Sequence, residues 1–135
     1  MNATQLAAAE RCLAAAESGA MTFPQIVGDL MQAGFESYAV DFRRGTATYY
    51  LPSGDAVELA APAVSGPVAE HFDRTAIEAA IREAQALVPG YTYLGFCAKA
   101  RAAGCAGYVV SFLGRRAVYF GRTAETHVEP FPQPS

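Results

Sequence analysis

The sequence contains few of the residues that build metal centres and disulfide frameworks. Its 135 residues include two histidines and three cysteines. Two histidines are too few for most metal sites. The cysteines follow neither a zinc-ligand pattern nor a disulfide framework; they are Cys12, Cys97 and Cys105. We therefore expect no metal, no cofactor and a reducing, cytoplasmic setting.

The chain also lacks an excess of positive charge and a long apolar segment. A net charge of −3 gives no long-range attraction to nucleic acid or to an anionic membrane. No apolar run approaches the ~18–20 residues that a membrane-spanning helix needs. The N-terminus has no basic start, and Glu10 and Arg11 interrupt its apolar residues, so we expect no secretion signal. These absences predict no nucleic-acid partner and no membrane partner.

Apolar residues are what the chain has in abundance. Hydrophobic residues make up 52% of the sequence and charged residues 17%, which is typical of a compact globule rather than a disordered tail. A chain of this length is large enough to bury one core. We therefore predict a single domain over residues 1–135.

A ten-residue stretch occurs twice. Residues 33–42, AGFESYAVDF, return as residues 103–112, AGCAGYVVSF, at an offset of 70 positions (103 minus 33). The same offset relates three further identical pairs: Thr22 and Thr92, Ala47 and Ala117, Tyr49 and Tyr119. We interpret this pattern as a degenerate tandem duplication, with repeat 1 at about 3–60, a linker at 61–71 and repeat 2 at about 72–131.

Capping patterns predict where the helices begin. Thr22 can accept a hydrogen bond from the first turn, and Gln25, three residues on, completes a capping box. Asp73 and Thr92 are the predicted caps in the second repeat. Residues 3–17 form the first predicted helix, and the other three end at Gly34, at Pro89-Gly90 and at Gly104. The apolar faces of these helices are expected to include Leu6, Phe23 and Leu87.

After the second helix of each repeat, the apolar period changes from 3.6 to 2. The residues that face one way correspond in the two copies: Tyr38, Val40 and Phe42, then Tyr108, Val110 and Phe112. This alternation predicts strands with one buried face. Further short strands are expected at 56–59 and 126–129. The predicted fold class is α+β, a tandem duplicated helix-helix-hairpin unit with helices packed on one face of a mostly antiparallel sheet.

The second hairpin is apolar on both faces. In the first hairpin the outward face carries Asp41 and Arg43. The same positions in the second are Ser111 and Leu113, beside Val109. We favour a central place in the sheet over a subunit interface, because a sheet shared by two copies needs a middle.

The best candidates for chemistry lie near the C-terminus. Glu125, His127 and Glu129 fall on one face if this segment is a strand, and Arg122 precedes them. Alternating histidine and carboxylate can act as an acid–base pair, although the solvent face of a strand produces the same pattern. If these residues form a site, Arg122 would bind an anion. His127 would transfer a proton, and Glu129 or Glu125 would orient the imidazole ring of His127. This predicts that Arg122, His127 and Glu129 converge on a concavity.

The cysteines are weaker candidates for chemistry. Cys97 and Cys105 take the positions of Val27 and Phe35 in the first copy, so we predict small core residues rather than nucleophiles. We expect no histidine or arginine to lie where it would lower the pKa of a cysteine.

Two functions of different classes remain open. We favour a non-enzymatic binding or interaction protein, acting as a homodimer or on another protein, because the sequence shows no convergent catalytic set. The alternative is an enzyme or small-ligand binder whose site lies at the Arg122, His127 and Glu129 segment.

A pattern in the C-terminal third adds a third possibility. Residues 103–105, 107–108, 118–122 and 125–132 carry it, and residues 23–38 extend it into the N-terminal half. With this pattern the chain resembles an uncharacterised bacterial domain family that is often labelled "phage envelope protein" and includes the YbcV-like proteins. The resemblance implies a phage or prophage structural component, and it carries no established activity or catalytic residue to these positions.

Overall fold

Residues 1–61 and 66–131 are described by the computed structural model, and in these ranges the chain forms four helices and six strands. The helices are α1 (Ala3–Ser18), α2 (Phe23–Ala33), α3 (Arg74–Ala86) and α4 (Tyr93–Ala102). The strands are β1 (Ser37–Asp41), β2 (Thr46–Tyr50), β3 (Ala56–Ala60), β4 (Cys105–Ser111), β5 (Arg116–Gly121) and β6 (Thr126–Pro130). Two helices precede three strands in each half, which confirms the predicted α+β class. None of the helices in these ranges has the length and hydropathy that spanning a bilayer requires.

The described strands form one six-stranded sheet in the order β3-β2-β1-β4-β5-β6. Every pairing in this sheet is antiparallel. The short strands predicted at 56–59 and 126–129 are β3 and β6, at the two edges. β4 is central as predicted, but β1 is equally central, because the two halves meet between them. Part of the predicted linker, residues 62–65, and the predicted family pattern after residue 131 lie outside the described residues.

The strand pairings follow the same 70-residue offset as the sequence. The hairpin pairs recur in the two halves: Tyr38 opposite Tyr49, and Tyr108 opposite Tyr119. Where the halves meet, Tyr38 lies opposite Val110 and Val40 lies opposite Tyr108. These two pairs exchange when each residue is replaced by its counterpart 70 positions away, so the register has a two-fold pattern. Residues 70 positions apart can therefore be compared as structural counterparts.

The predicted caps begin three of the described helices. Oγ1 of Thr22 accepts a bond from the amide of Gln25 at 3.4 Å, and the amide of Thr22 donates to Oε1 of Gln25 at 2.9 Å. Asp73 and Thr92 cap α3 and α4 by accepting from the third residue of each helix. α1 begins with a further capping box, in which Asn2 is the cap. Each cap pairs an amide that the first helical turn leaves free.

One core joins the helices to one face of the sheet. Burial alternates along β1 and along the second half of β4, as the period of two predicts, whereas residues 105–108 at the start of β4 are all buried. Six residues of the alternating pattern, two of them directly after the strands, are at most 7% exposed: Tyr38, Val40, Phe42, Tyr108, Val110 and Phe112. Tyr93 of α4 joins this layer through a 2.7 Å hydrogen bond between its hydroxyl and that of Tyr108.

Three residues predicted on buried helix faces are exposed instead. Leu6 and Phe23, in the first turns of α1 and α2, are 38% and 40% exposed. The ring of Phe23 packs edge-to-face on Phe131, with 5.6 Å between centroids. Leu87 is 57% exposed, because α3 ends at Ala86 and Leu87 takes a left-handed conformation with φ of 48°. The helix therefore ends before the predicted terminator Pro89-Gly90, and residues 87 and 88 lie outside it.

Gly104→Ala should destabilise the fold more than Gly34→Ala. Both glycines have positive φ, at 91° and 104°, which costs an L residue about 1–2 kcal/mol. A Cβ at residue 104 would also overlap the backbone carbonyl of His71, whereas at residue 34 the nearest atom is Nε2 of the flexible Gln5 side chain, 3.3 Å away. Urea denaturation should show a loss of about 1–2 kcal/mol for Gly34→Ala and more than about 3 kcal/mol for Gly104→Ala. Equal losses would contradict this packing.

Candidate functional site

Two of the predicted site residues face the helix layer at the edge of the sheet. His127 and Glu129 alternate with exposed residues along β6, and their side chains are 12% and 13% exposed. Helix α3 lies along this strand. Arg74 donates to the carbonyl of Thr126 at 2.7 Å, and Arg82 bonds to Glu129, three residues further along β6. An edge strand and the helix packed on it thus build the site.

Five side chains form what we call the α3–β6 cluster: Glu78, Arg82, Gln85, His127 and Glu129. Nε2 of His127 lies 3.0 Å from Oε2 of Glu129, and its Nδ1 lies 3.5 Å from Oε1 of Glu78. The other oxygen of Glu129 accepts from Arg82 at 2.5 Å and from Gln85 at 3.4 Å. Glu129 is therefore bonded by three side chains, and His127 lies between two carboxylates.

The neighbours of Glu129 keep it ionised. Burial disfavours the charged carboxylate, but hydrogen bonds from Arg82 and His127 outweigh the burial and lower the pKa of Glu129 below its usual 4.5. The bond from Arg82 also raises the pKa of that guanidinium. Both partners of this ion pair are thus charged over a wide pH range.

Arg122 and Glu125 do not join the cluster. Nη1 of Arg122 donates to the carbonyl of Val68 at 3.2 Å, and this bond ties the end of β5 to the segment before α3. Oε1 of Glu125 accepts from the hydroxyl of Thr123 at 2.7 Å, in the turn before β6. Among the residues that the structure describes, no hydrogen bond or ion pair joins Arg122 to His127, and their convergence stays a prediction. Arg122 stands in the turn that follows β5, beyond the end of the strand that carries His127.

One cleft in the described part of the chain lies away from these residues. A cleft of about 180 Å³ lies between the end of α3 and the start of α4. It is lined by Tyr91, Phe96 and the ion pair of Glu83 with Lys99, whose charged atoms lie 2.5 Å apart. Arg122, His127 and Glu129 are not among its lining residues.

Three members of the cluster come from α3 and were not predicted. Glu78, Arg82 and Gln85 are spaced four and three residues apart, which places them on one helix face. A comparison of the two repeats could have indicated these three residues, because their counterparts are the buried Ala8, Cys12 and Ala15. The counterparts of His127 and Glu129 are likewise apolar, namely Val57 and Leu59. A polar network therefore stands where the first half of the same fold has small and apolar side chains.

The bonding of the cluster limits its chemistry. Both ring nitrogens of His127 face carboxylates, so neither is free to accept a proton from a substrate in this arrangement. The 3.5 Å contact with Glu78 is the longer of the two, and the Glu78 side chain is 44% exposed, so a ligand could replace it from the solvent side. Within residues 1–61 and 66–131, no three His, Cys, Asp or Glu side chains are placed to hold a metal ion.

The three cysteines are buried. Burial raises the pKa of Cys12, Cys97 and Cys105 to about 11 in each case. Sγ of Cys12 lies 3.4 Å from Oδ2 of Asp29, which also opposes ionisation. A buried thiol of high pKa is a poor nucleophile, which agrees with the predicted core role of Cys97 and Cys105.

A second feature lies on the opposite, open face of the sheet. Val109, Val118 and Val128 are neighbours across β4, β5 and β6, and we call this row the valine stripe. Val109 is 39% exposed and Val128 is 45% exposed. Central placement therefore does not explain the apolar outer face of the second hairpin, because the helices pack on the other side.

The same row in the first half of the sheet is more polar. The counterparts of the three valines are, in order, Ala39, Thr48 and Glu58, on β1, β2 and β3. Glu58 lies 3.4 Å from Arg44 in an exposed ion pair. The apolar character of the open face is thus concentrated in its second half.

Glu129→Gln should lower stability at neutral pH and flatten its acid dependence. Because the pKa of Glu129 is depressed in the folded state, its contribution is present above the usual value of 4.5 and is lost as the pH falls through the folded-state pKa. We expect a loss of about 1 kcal/mol at pH 7, measured by urea denaturation, and a shallower decline of stability towards pH 3. The matched control is Glu125→Gln, which should change neither quantity. Identical pH profiles for the wild type and Glu129→Gln would contradict the described bonding.

The sequence of the chain matches a family profile whose description is "Protein of unknown function (DUF1398)", over residues 11–129. The match covers 119 residues (129 minus 11 plus 1) of the 135. A search among curated proteins gave no match. The expected resemblance is confirmed at the level of an uncharacterised domain family, whereas the phage-envelope and YbcV-like labels stay predictions. The chain belongs to the DUF1398 family of proteins of unknown function.

Proposed function

We propose that the chain is a non-enzymatic binding protein that pairs with a second copy of itself through the open face of the sheet. The observation that carries the proposal is the valine stripe, an uncharged row of three β-branched side chains in which Val109 and Val128 are exposed and Val118 is half-buried. Two sheets pack face to face by interleaving such side chains about 10 Å apart. Covering the stripe would remove apolar surface from water, which favours association.

The size of the face suits a weak dimer. The three strands that carry the stripe, at a spacing of about 4.8 Å and about five residues long at 3.3 Å per residue, give roughly 14 by 16.5 Å, or about 240 Å² per copy. Two copies would bury about 480 Å² in total, which is in the range of weak, transient contacts rather than of stable interfaces. We therefore expect a concentration-dependent dimer rather than a permanent one.

The arrangement of the stripe favours a second copy as the occupant. A symmetric dimer buries the same patch on both partners, so the patch must be self-complementary. A two-fold axis near Val118 would bring Val109 of one copy close to Val128 of the other, because β4 and β6 flank β5. Thr48 on β2 and Glu58 on β3 would then lie outside the contact and keep their water.

A second candidate is a small-ligand or acid–base site at the α3–β6 cluster. The observation that favours it is the replacement of apolar counterparts, such as Val57 and Leu59, by His127 and Glu129. Polar residues that the fold itself does not require are typical of functional sites. Chemical-shift mapping against a metabolite library would support this site if the changes centred on His127. They should disappear in His127→Val, which installs the residue of the counterpart position.

Origin and setting also remain proposals. The shared register of the two halves supports an origin by tandem duplication. Three buried, unpaired thiols suit a reducing cytoplasm.

Val118→Lys should abolish self-association, because it places a charge at the centre of the stripe. Sedimentation velocity of the wild type should show a mass that rises with concentration from 14.2 kDa towards 28.4 kDa (twice 14.2). Val118→Lys should stay at the monomer mass throughout. The matched control is Thr48→Lys, the same substitution at the counterpart position, which should associate as the wild type does.

Other results would either overturn the proposed dimer or indicate a different assembly. A wild type that stays monomeric at millimolar concentration would overturn the dimer, and so would a Val118→Lys variant that associates normally. Circular dichroism checks that Val118→Lys is folded, and Val109→Lys replaces it if it is not. Rings or sheaths instead of dimers would favour a phage or prophage structural component.

A further inference from the structure

A small pocket lies on the helix side of the sheet, between α4 and the β1–β2 turn. Its volume is about 10 Å³, room for a single water-sized group. We call it the α4 pocket, and six of its lining residues enter the argument: Asp41, Gly45, Ala61, Tyr93, Cys97 and Arg101. None of them belongs to the α3–β6 cluster or to the valine stripe.

The counterpart of this pocket in the other half of the fold is filled by an aromatic ring. The amide of Phe131 donates to the carbonyl of Arg115 at 2.9 Å, just as Ala61 donates to Gly45 at 2.8 Å, so these two residues are equivalently placed. The Phe131 ring packs on Phe23 at 5.6 Å. The pocket exists because the chain has Ala61 where its other half has phenylalanine.

The residues of α4 that line the pocket are also more polar than their counterparts on α2. The corresponding positions on α2 carry Phe23, Val27 and Met31, and of these Phe23 contacts the Phe131 ring. Their counterparts on α4 are, in order, Tyr93, Cys97 and Arg101. The first half shows that this backbone accepts an apolar set, so the hydroxyl, thiol and guanidinium are not demanded by the packing.

Arg101 presents an unsatisfied donor at this position. Its Nη1 donates to the carbonyl of Phe42 at 2.8 Å. Its Nε is buried and has no hydrogen-bond partner among the residues that the structure describes. A buried donor without a partner is costly, and such groups in native structures call for a ligand or another physical reason.

We propose that the α4 pocket binds the carboxylate of a small organic acid through the Nε edge of Arg101. With Nη1 engaged by Phe42, the remaining fork of the guanidinium is Nε with Nη2, which matches the two oxygens of a carboxylate. One carboxylate oxygen fills a water-sized space, and the rest of the molecule points outward. Oδ1 of Asp41 accepts from the amides of Arg43 and Arg44 at 2.8 and 3.0 Å, and within the described residues no hydrogen bond or ion pair joins Asp41 to Arg101.

The Nε–Hε signal of Arg101 in a ¹H–¹⁵N spectrum of the full chain reports on this contact directly. Acetate and formate are the probes, and sodium chloride at equal ionic strength is the control. We expect a saturable shift of the Arg101 signal with both carboxylates and none with chloride. An Arg101 signal that stays in place up to 100-fold excess of both carboxylates over protein would overturn the proposal.

Two variants install the residue that the other half of the fold carries at the counterpart position. Ala61→Phe installs the counterpart Phe131 and should weaken the acetate response at least tenfold while leaving the fold intact. Arg101→Met installs the counterpart Met31 and should remove the acetate-induced shifts of the surrounding amides. Arg122→Met removes another arginine that donates to one carbonyl and should leave the Arg101 response unchanged.

Ala61→Phe also offers a result that would contradict the proposal. An unchanged acetate response in Ala61→Phe would place binding elsewhere and overturn the proposal. This arm does not depend on Arg101→Met, so the proposal stays testable if that variant fails to fold.

Discussion

The antiparallel pairing of β1 with β4 is the constraint on which the rest of the structure depends. It joins two halves whose aromatic side chains pack on each other across the centre, as in the ring contacts of Tyr38 with Tyr108 at 6.3 Å and of Phe42 with Tyr108 at 5.9 Å. A three-stranded half would leave this apolar layer open to water, so each half buries its core on the other. The pairing also fixes the register, which relates the positions of the first half to counterparts 70 residues later in the second half.

This equivalence makes the departures from it informative. The first half of the fold shows which residues the backbone accepts at a position, and the second half departs from that pattern at three places. His127 and Glu129 replace apolar residues beneath α3, Arg101 replaces Met31 beside an unfilled pocket, and three valines replace a more polar row on the open face. Each departure either introduces polar groups into the interior or exposes apolar side chains. Neither improves the stability of an isolated monomer, and this is why we connect these places with binding.

The sequence predicts much of the fold because its local signals agree with its repeat. The Thr22, Asp73 and Thr92 caps and the alternation around Tyr38 and Tyr108 all correspond to observed elements. The site was predicted less well. Arg122 and His127, close in sequence, were expected to meet. Instead His127 contacts Glu129 on its own strand and Glu78 of α3, which is 49 residues away (127 minus 78). Helix-to-strand contacts of this kind depend on how α3 lies along β6, and no local pattern encodes that.

The central claim is that the second half of the open face is a contact surface between two copies. The most direct measurement is an isotope-filtered NOE spectrum of a mixture of labelled and unlabelled protein, read at the valine methyl groups. The account predicts intermolecular NOEs that join Val118 to Val118 and Val109 to Val128. Intermolecular NOEs from the helix side of the sheet, with none from these valines, would contradict it.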